Sequence, residues 1–161
     1  MVLQRWQSVL LFIAVVAIAL FPLFPIIQFS TSTTLADYSV SGLAMHNISS
    51  NANAVISSMS IYSWGFIAIN TFIAIFIFIT IFRYKSLLQQ MRLCILSIIF
   101  VLFLCISLAI SSYLLMDILQ AGDYTLKYAV VCPIVAILAI ILAYVRIKKD
   151  DKKIRSYDRI R

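Results

Sequence analysis

RIKKDDKKIRSYDRIR, residues 146–161, is the stretch that decides how the chain is arranged. It holds eight of the thirteen Lys and Arg residues and directly follows a long apolar run. A basic block next to an apolar span is not readily carried across a bilayer, so it stays on the cytoplasmic side. We therefore interpret residues 146–161 as a basic cytoplasmic tail and place the preceding segments relative to it.

The overall composition identifies lipid as the main solvent of the chain. Of its 161 residues, 63% are hydrophobic and 12% are charged, whereas soluble domains have roughly 45–50% apolar and about 25% charged residues. Too few charges remain to cover a water-facing surface. The length predicts one integral membrane domain over residues 1–161.

Four apolar runs are long enough to cross the roughly 30 Å hydrocarbon layer as helices. They are predicted at residues 8–27, 61–82, 93–115 and 126–145. The first run is longer than the apolar region of a signal peptide and no A-x-A-like cleavage site follows it, so we expect a retained helix. Pro22 and Pro25 predict a kink or an early end near Phe21, and Pro133 predicts a kink in the fourth helix.

The distribution of cations predicts the orientation of these spans. With both termini in the cytoplasm, twelve of the thirteen Lys and Arg residues lie on the cytoplasmic side, and only Lys127 lies outside. This asymmetry is the positive-inside pattern. Tyr and Trp residues fall near the ends of the spans, as expected for interfacial belts. The sequence therefore predicts an all-α membrane protein with four transmembrane helices in an up-down bundle, N-in and C-in.

Residues 28–60 are the one sizeable polar segment, predicted to be an extracytoplasmic loop between helices 1 and 2. Its length favours an ordered cap over the outer end of the bundle. The alternation around Tyr38–Ser41 is compatible with a strand, whereas residues 53–60 favour an early start of the second helix. In the outer turn before the fourth helix, Asp123 or Thr125 is a candidate N-cap.

Three motifs carry a family resemblance: Gln4-Arg5-x-Gln7, Arg92-Leu93-Cys94, and an ending that runs from Lys149-Asp150-Asp151 through Arg155-Ser156 to Asp158-Arg159-Ile160-Arg161. On these motifs, and over its whole architecture, the chain resembles a family of small bacterial membrane proteins that is catalogued as a domain of unknown function, family 4293. This resemblance implies a four-helix protein of the bacterial inner (cytoplasmic) membrane. It implies no activity.

Asn70 is the one amide near the middle of a span and is a candidate interhelical polar site. An unsatisfied amide in hydrocarbon costs several kcal/mol, so we expect its side chain to face protein or water. An interhelical hydrogen bond is the favoured interpretation, and a place in a ligand or ion path remains the alternative. We expect Asn70 to face the interior of the bundle.

Small residues recur on two helices and predict close helix packing. In the fourth span they are Ala129, Ala136, Ala139 and Ala143, and in the third the recurring residues are Cys94, Val101, Cys105 and Ser112. We expect both sets to hold the helices of one chain together, with a role in oligomerisation as the alternative. The oligomeric state is left open.

The central parts of the spans contain no Asp, Glu, His, Lys or Arg. Ion-driven transporters and intramembrane enzymes normally need such groups. The three cysteines lie in apolar runs without other ligand-type residues nearby, which argues against a metal site and a disulfide framework. We expect no catalytic activity, no cofactor and no metal.

The basic residues near the inner ends of the spans are the candidate contacts for anionic headgroups or a protein partner. They are Arg83, Lys85, Arg92, Lys148, Lys149, Lys152, Lys153, Arg155, Arg159 and Arg161. No Gly or Pro interrupts residues 134–161, so the fourth helix is expected to continue into the tail. There Ile147, Ile154 and Tyr157 form an apolar stripe that is available to headgroups or to a cytoplasmic partner. The tail lacks interleaved aromatic residues, so we do not expect nucleic-acid binding.

Together these features favour a non-catalytic accessory or scaffold subunit whose basic face meets lipid headgroups or a membrane or cytoplasmic partner. The alternative is a carrier or binding protein for a small apolar or lipid ligand, with a cleft around Asn70.

Overall fold

The computed structural model describes residues 2–30, 34–47, 56–58, 61–83, 86–119 and 123–158. The side chains within 6–30, 35–44, 64–83, 86–119 and 123–152 are described as well. Four long helices account for most of these residues: α1 (Val2–Leu20), α2 (Ile61–Phe82), α3 (Leu87–Leu119) and α4 (Val131–Asp158). Each is long and apolar enough to cross a membrane.

The four helices pack in a closed ring. α1 packs against α2 and α4, and α3 packs against the same two helices. All four alanines of the small-residue set predicted in the fourth span are buried: Ala136, Ala139 and Ala143 in α4, and Ala129 in the 3-10 turn over Tyr128–Val130 that precedes it. In α3, Cys94, Val101 and Ser112 are buried and Cys105 is partly buried. Both sets of small residues therefore lie at helix contacts within a single chain.

The ends of the helices differ from the predicted spans at several points. α1 ends at Leu20, as the prolines predicted, and a 3-10 turn over Phe21–Leu23 follows. α3 has 33 residues, which at 1.5 Å per residue is about 50 Å, longer than the hydrocarbon layer. The kink predicted at Pro133 was wrong, because this residue lies in the first turn of α4. An N–H there has no partner within the helix, so its loss breaks no helical hydrogen bond.

The fold is mostly helical, in agreement with the all-α prediction, but it also contains a small five-stranded antiparallel sheet that was not predicted. Its strands are β1 (Ile27–Ser30), β2 (Thr34–Ser39), β3 (Gly42–Asn47), β4 (Ile56–Ser58) and β5 (Asp123–Leu126). Their order in the sheet is β4-β3-β2-β1-β5. Four strands connect α1 to α2, and the fifth comes from the connection between α3 and α4. The sheet therefore ties the two helix pairs together at one end, which we call the sheet end.

Three local predictions are corrected by this sheet. Within Tyr38–Ser41, only the first two residues belong to a strand, and Val40 and Ser41 form the turn into β3. Gly42 opens β3 at a φ of 140°, a conformation that L side chains rarely adopt. Residues 56–58 form β4 instead of beginning α2, while 53–55 and 59–60 lie outside the described residues. Asp123 and Thr125 pair in β5 and cap no helix.

The sheet has one apolar and one polar face because its side chains alternate. Residues that pair directly across antiparallel strands share a face, so Phe29 lies beside Ala36 on one side and Tyr124 on the other. Phe29 and Ala36 are each 2% exposed and belong to the same buried core as the helices. The apolar face therefore packs against the helices. β5 lies beyond the part of this face that the helices cover.

The phenol ring of Tyr38 connects the sheet to α3. Tyr38 belongs to the apolar face and is buried. Burial raises the pKa of Tyr38, and a side-chain hydrogen bond with Ser111 of α3 opposes part of this rise. The folded protein therefore favours the neutral phenol more strongly than the unfolded chain does.

We predict that Phe29→Ala lowers the free energy of unfolding by about 3–5 kcal/mol, because a fully buried aromatic ring is lost. Tyr124→Ala is the matched control, since Tyr124 is the directly paired residue on the same face and is 57% exposed. Its expected cost is about 0.5 kcal/mol. Reversible unfolding in detergent measures both values. Equal losses in the two variants would contradict the assigned coverage of the sheet.

We also predict that the protein loses stability as the pH rises above about 10, and that Tyr38→Phe reduces this loss. The pKa of Tyr38 is higher in the folded than in the unfolded state. The stability due to this difference is therefore complete below the unfolded pKa of about 10 and declines as the pH rises through the folded pKa. Thermal melts between pH 8 and 11 measure the effect. Tyr128→Phe, at a residue that is almost fully exposed, should leave the pH profile unchanged.

Candidate functional site

Asn70 lies in the contact between α2 and α1. Its side chain is 3% exposed, and its Nδ2 donates a hydrogen bond of 3.1 Å to the backbone oxygen of Ile18. In a continuous α-helix this oxygen would accept from the N–H of residue 22, but residue 22 is a proline and has no N–H. Asn70 therefore supplies the donor that Pro22 cannot.

This contact gives the Asn70 nitrogen a structural role. A backbone carbonyl without a donor is costly in hydrocarbon, and a side chain from a neighbouring helix is a recognised way to satisfy it. The Oδ1 atom of Asn70 is buried and has no hydrogen-bond partner among the described residues. The oxygen is thus the part of this side chain that remains able to accept a hydrogen bond.

A second set of buried polar side chains lies at the end of the bundle opposite the sheet. Gln7 and Gln90 are buried, with Gln7 2% exposed, and so is Thr80. The Nε2 of Gln7 donates to Oδ2 of Asp150, and the Nε2 of Gln90 lies 3.5 Å from the backbone oxygen of Thr80. We call Gln7, Thr80, Gln90 and Asp150 the polar layer, because each helix contributes one member.

The helix register places these four residues at one level. Gln7 lies eleven residues before Ile18, and Thr80 lies ten residues after Asn70. At 1.5 Å per residue both are about 15–17 Å from the Asn70–Ile18 hydrogen bond. The hydrogen bonds of the two glutamines bring Asp150 and Gln90 to the same level. The Oε1 atom of Gln90 has no hydrogen-bond partner among the described residues.

Sequence reasoning did not identify Gln7 or Gln90 as buried. Gln7 lies four residues before the buried Leu11, and Gln90 lies four residues before the buried Cys94. That spacing puts each amide on the inward face of its helix. The four-residue spacing is therefore visible in the sequence, but it predicts burial only when the inward face of each helix is already known.

The predicted basic residues that the structure describes lie at the same end as the polar layer, and we call this the basic end. Arg83, Arg92, Lys148, Lys149 and Lys152 are exposed, and Arg83 Nη1 lies 3.4 Å from Oε1 of Gln89. The side chains of Lys153 and Arg155, together with all of Lys85, Arg159 and Arg161, lie outside the described residues. Among the described residues, no group of three His, Cys, Asp or Glu side chains comes together to hold a metal ion.

The apolar stripe predicted in the tail needs correction. α4 is continuous to Asp158, but Ile147 is fully buried. Asp150, one turn further along, is held by Gln7 of α1. The first turn of the tail is therefore part of the helix packing, and Ile147 is not available to headgroups or to a partner. The side chains of Ile154 and Tyr157 lie outside the described residues.

The spacing of exposed polar and aromatic side chains matches the thickness of a bilayer. On α3, the exposed residues Arg92 and Tyr113 are twenty-one residues apart, or about 32 Å. The hydrocarbon layer is about 30 Å thick. Four helices of this length and composition define a multi-pass membrane protein.

The chain belongs to the family described as "Domain of unknown function (DUF4293)", whose model matches residues 3–160. This confirms the resemblance drawn from the two ends and the inner turn. Two residues that carried it, Gln7 and Asp150, are hydrogen-bonded to each other. No curated protein matches the chain.

We predict that Asn70→Ala lowers the free energy of unfolding by about 1–2 kcal/mol, because the Ile18 carbonyl loses its donor. In a Pro22→Ala background the same change should cost less, since residue 22 regains an N–H. Any packing loss at Asn70 is common to both backgrounds and cancels in the double-mutant cycle.

Thr71→Ala is the matched control for this cycle. Thr71 is exposed and its hydroxyl donates to Ile67 of its own helix. It should show no coupling to Pro22. A coupling energy of zero between Asn70 and Pro22 would disprove the role of the Asn70 amide as a replacement for the N–H that Pro22 lacks.

Proposed function

We propose that the protein is a non-catalytic accessory or scaffold subunit of the bacterial inner membrane that uses its basic end to bind a partner. In this proposal the four helices cross the membrane in up-down order. Both termini and the basic end lie in the cytoplasm, and the sheet lies outside.

The concentration of cations at one end of the fold carries this proposal. Five of the predicted basic contacts are exposed around the polar layer: Arg83, Arg92, Lys148, Lys149 and Lys152. They come from the α2–α3 connection, from α3 and from α4. The sheet end contributes Lys127 together with Asp37, Asp117 and Asp123 among the described residues. The positive-inside rule favours a cytoplasmic location for the first group.

The rigidity of the basic end supports a scaffold role. Lys148 and Lys149 extend from a turn of α4 that is held by the buried Ile147 and by the hydrogen bond between Asp150 and Gln7. Cations held on a packed helix lose less conformational freedom on binding than cations on a loose tail. A partner with an acidic surface is the complementary chemistry.

The alternative carrier function would use a cleft around Asn70. The nitrogen of that side chain already bonds to Ile18, which leaves only Oδ1 to contact a ligand. A single buried acceptor provides little selectivity for an apolar or lipid molecule. We therefore favour the scaffold role.

We predict that the triple variant Lys148→Gln, Lys149→Gln, Lys152→Gln loses the proteins that crosslink to the full-length chain in its native membrane. Removing three exposed charges weakens attraction to an acidic partner but leaves Ile147 and Asp150 in place. Quantitative mass spectrometry of crosslinked complexes measures the loss.

The control for this experiment removes three charges at the sheet end, through Asp117→Asn, Asp123→Asn and Lys127→Gln. It should retain the crosslinked proteins. An unchanged set of partners in the basic-end variant would contradict the scaffold role. Labelling of a C-terminal tag from the periplasmic side would contradict the orientation.

A further inference from the structure

Trp6 and Arg146 form an exposed pair where α1 meets α4. The guanidinium carbon of Arg146 lies 5.8 Å from the centroid of the Trp6 ring, and Trp6 is 58% exposed. A cation–π contact over an aromatic face does not use the N–H groups of the guanidinium as hydrogen-bond donors, so they remain able to bind an anion. Arg146 was not among the cations that the sequence identified as headgroup contacts.

The backbone around this pair is fixed on both helices. Gln7 follows Trp6 directly and donates to Asp150, which lies one turn beyond Arg146. Ile147, next to Arg146, is fully buried. The arginine is therefore held at a set position by packing and hydrogen bonds that do not involve its own charge.

The pair lies close to the level at which the hydrocarbon layer ends. Gln7 and Gln90 belong to the same polar layer, and Arg92 follows Gln90 by two residues on α3. Trp6 is therefore within one turn of the level of Arg92. An indole ring is typical of this depth, and the N–H groups of an arginine there lie at the depth of lipid phosphates.

The acid nearest to Arg146 along its face of α4, Asp150, accepts a hydrogen bond from Gln7. A second exposed cation, Lys149, lies three residues further along α4 and hence on the same side of the helix. Two neighbouring exposed cations on one side of α4 are complementary to a phosphodiester.

Apolar surface continues from this pair into the membrane. Ile13 lies two turns from Trp6 on the same face of α1, and Leu142 lies one turn from Arg146 on the same face of α4. Both are exposed. Acyl chains attached to a headgroup at Arg146 would lie against these two side chains.

We propose that the α1–α4 contact at the basic end is a binding site for an anionic phospholipid. Arg146 and Lys149 bind its phosphate, Trp6 fixes the arginine and contacts the glycerol region, and Ile13 and Leu142 line the acyl chains. The inference rests on the proposed function and deepens it, because it assigns a lipid to one edge of the basic end and leaves the protein partner to the other cations of that end.

Native mass spectrometry of the full-length protein tests this site. The protein is incubated with equimolar phosphatidylglycerol and phosphatidylcholine that carry identical acyl chains, and the lipids retained are counted. The wild-type protein should retain phosphatidylglycerol in preference to phosphatidylcholine. Arg146→Gln and Lys149→Gln should each weaken phosphatidylglycerol retention roughly fivefold, as expected for the loss of one cation near a lipid headgroup.

Matched variants separate a defined site from general charge. Arg92→Gln removes an exposed cation at the same level on another helix and should leave retention unchanged. Arg146→Lys keeps the charge but loses the forked guanidinium donors, so it should retain an intermediate amount of lipid. Trp6→Phe weakens the stack without changing the charge and should give a smaller loss than Arg146→Gln. The melting temperature of each variant, measured in the same detergent, shows whether it is folded.

Three results would overturn the proposal. They are equal retention of the two lipids by the wild-type protein, the same loss in Arg92→Gln as in Arg146→Gln, and displacement of the lipid by millimolar inorganic phosphate, which would indicate a site for a free anion. Crosslinking in the same variants keeps the two proposals apart. Loss of lipid in Arg146→Gln with an unchanged set of crosslinked proteins supports the lipid site and leaves the scaffold role standing, so the two proposals can fail separately.

Discussion

The structure depends on one constraint: backbone N–H and C=O groups inside a membrane need partners within the protein. Helices meet this requirement along most of the chain. Where α1 ends at Leu20, Pro22 withholds a donor, and the Asn70 side chain of α2 provides it instead. Beyond this point the chain continues as strands, which satisfy the backbone through pairing. The break in α1 is therefore also the place where the helical part of the fold gives way to the sheet.

The sheet gives the two helix pairs a connection that helix packing alone does not provide. β1 follows α1 and pairs with β5, which leads into α4. The backbone N–H of Lys127 also donates to the oxygen of Ile26, which extends this pairing toward the helices. At the opposite end, the same two helices are joined by Gln7 and Asp150. α1 and α4 are thus fixed to each other at both ends, and this limits sliding or rotation of one along the other.

The sequence indicated the helices well because each long apolar run is a local signal that composition alone reveals. The sheet was harder to predict because its strands are short and rich in Ser and Thr, and because pairs such as Phe29 with Tyr124 join distant parts of the chain. Polar contacts show the same contrast. Asn70 stood out because it lies alone in an apolar span, whereas Gln7 and Gln90 lie near span ends, where polar residues are ordinary. Their burial depends on which helix faces which, and sequence periodicity does not provide that information.

Folding also changes how strongly the acids of the tail offset its cations. In the sequence, Asp150 is one of several acids that partly offset the surrounding cations. In the structure its carboxylate accepts a hydrogen bond from the buried Gln7, whereas Lys148, Lys149 and Lys152 are exposed. A carboxylate that is hydrogen-bonded on the inward side of α4 lies further from the cations on the outward side. It therefore screens their charge less effectively than a carboxylate that lies among them would. The exposed surface of this part of α4 is consequently more basic than its composition suggests, and this is the surface that we propose for contacts with headgroups and partners.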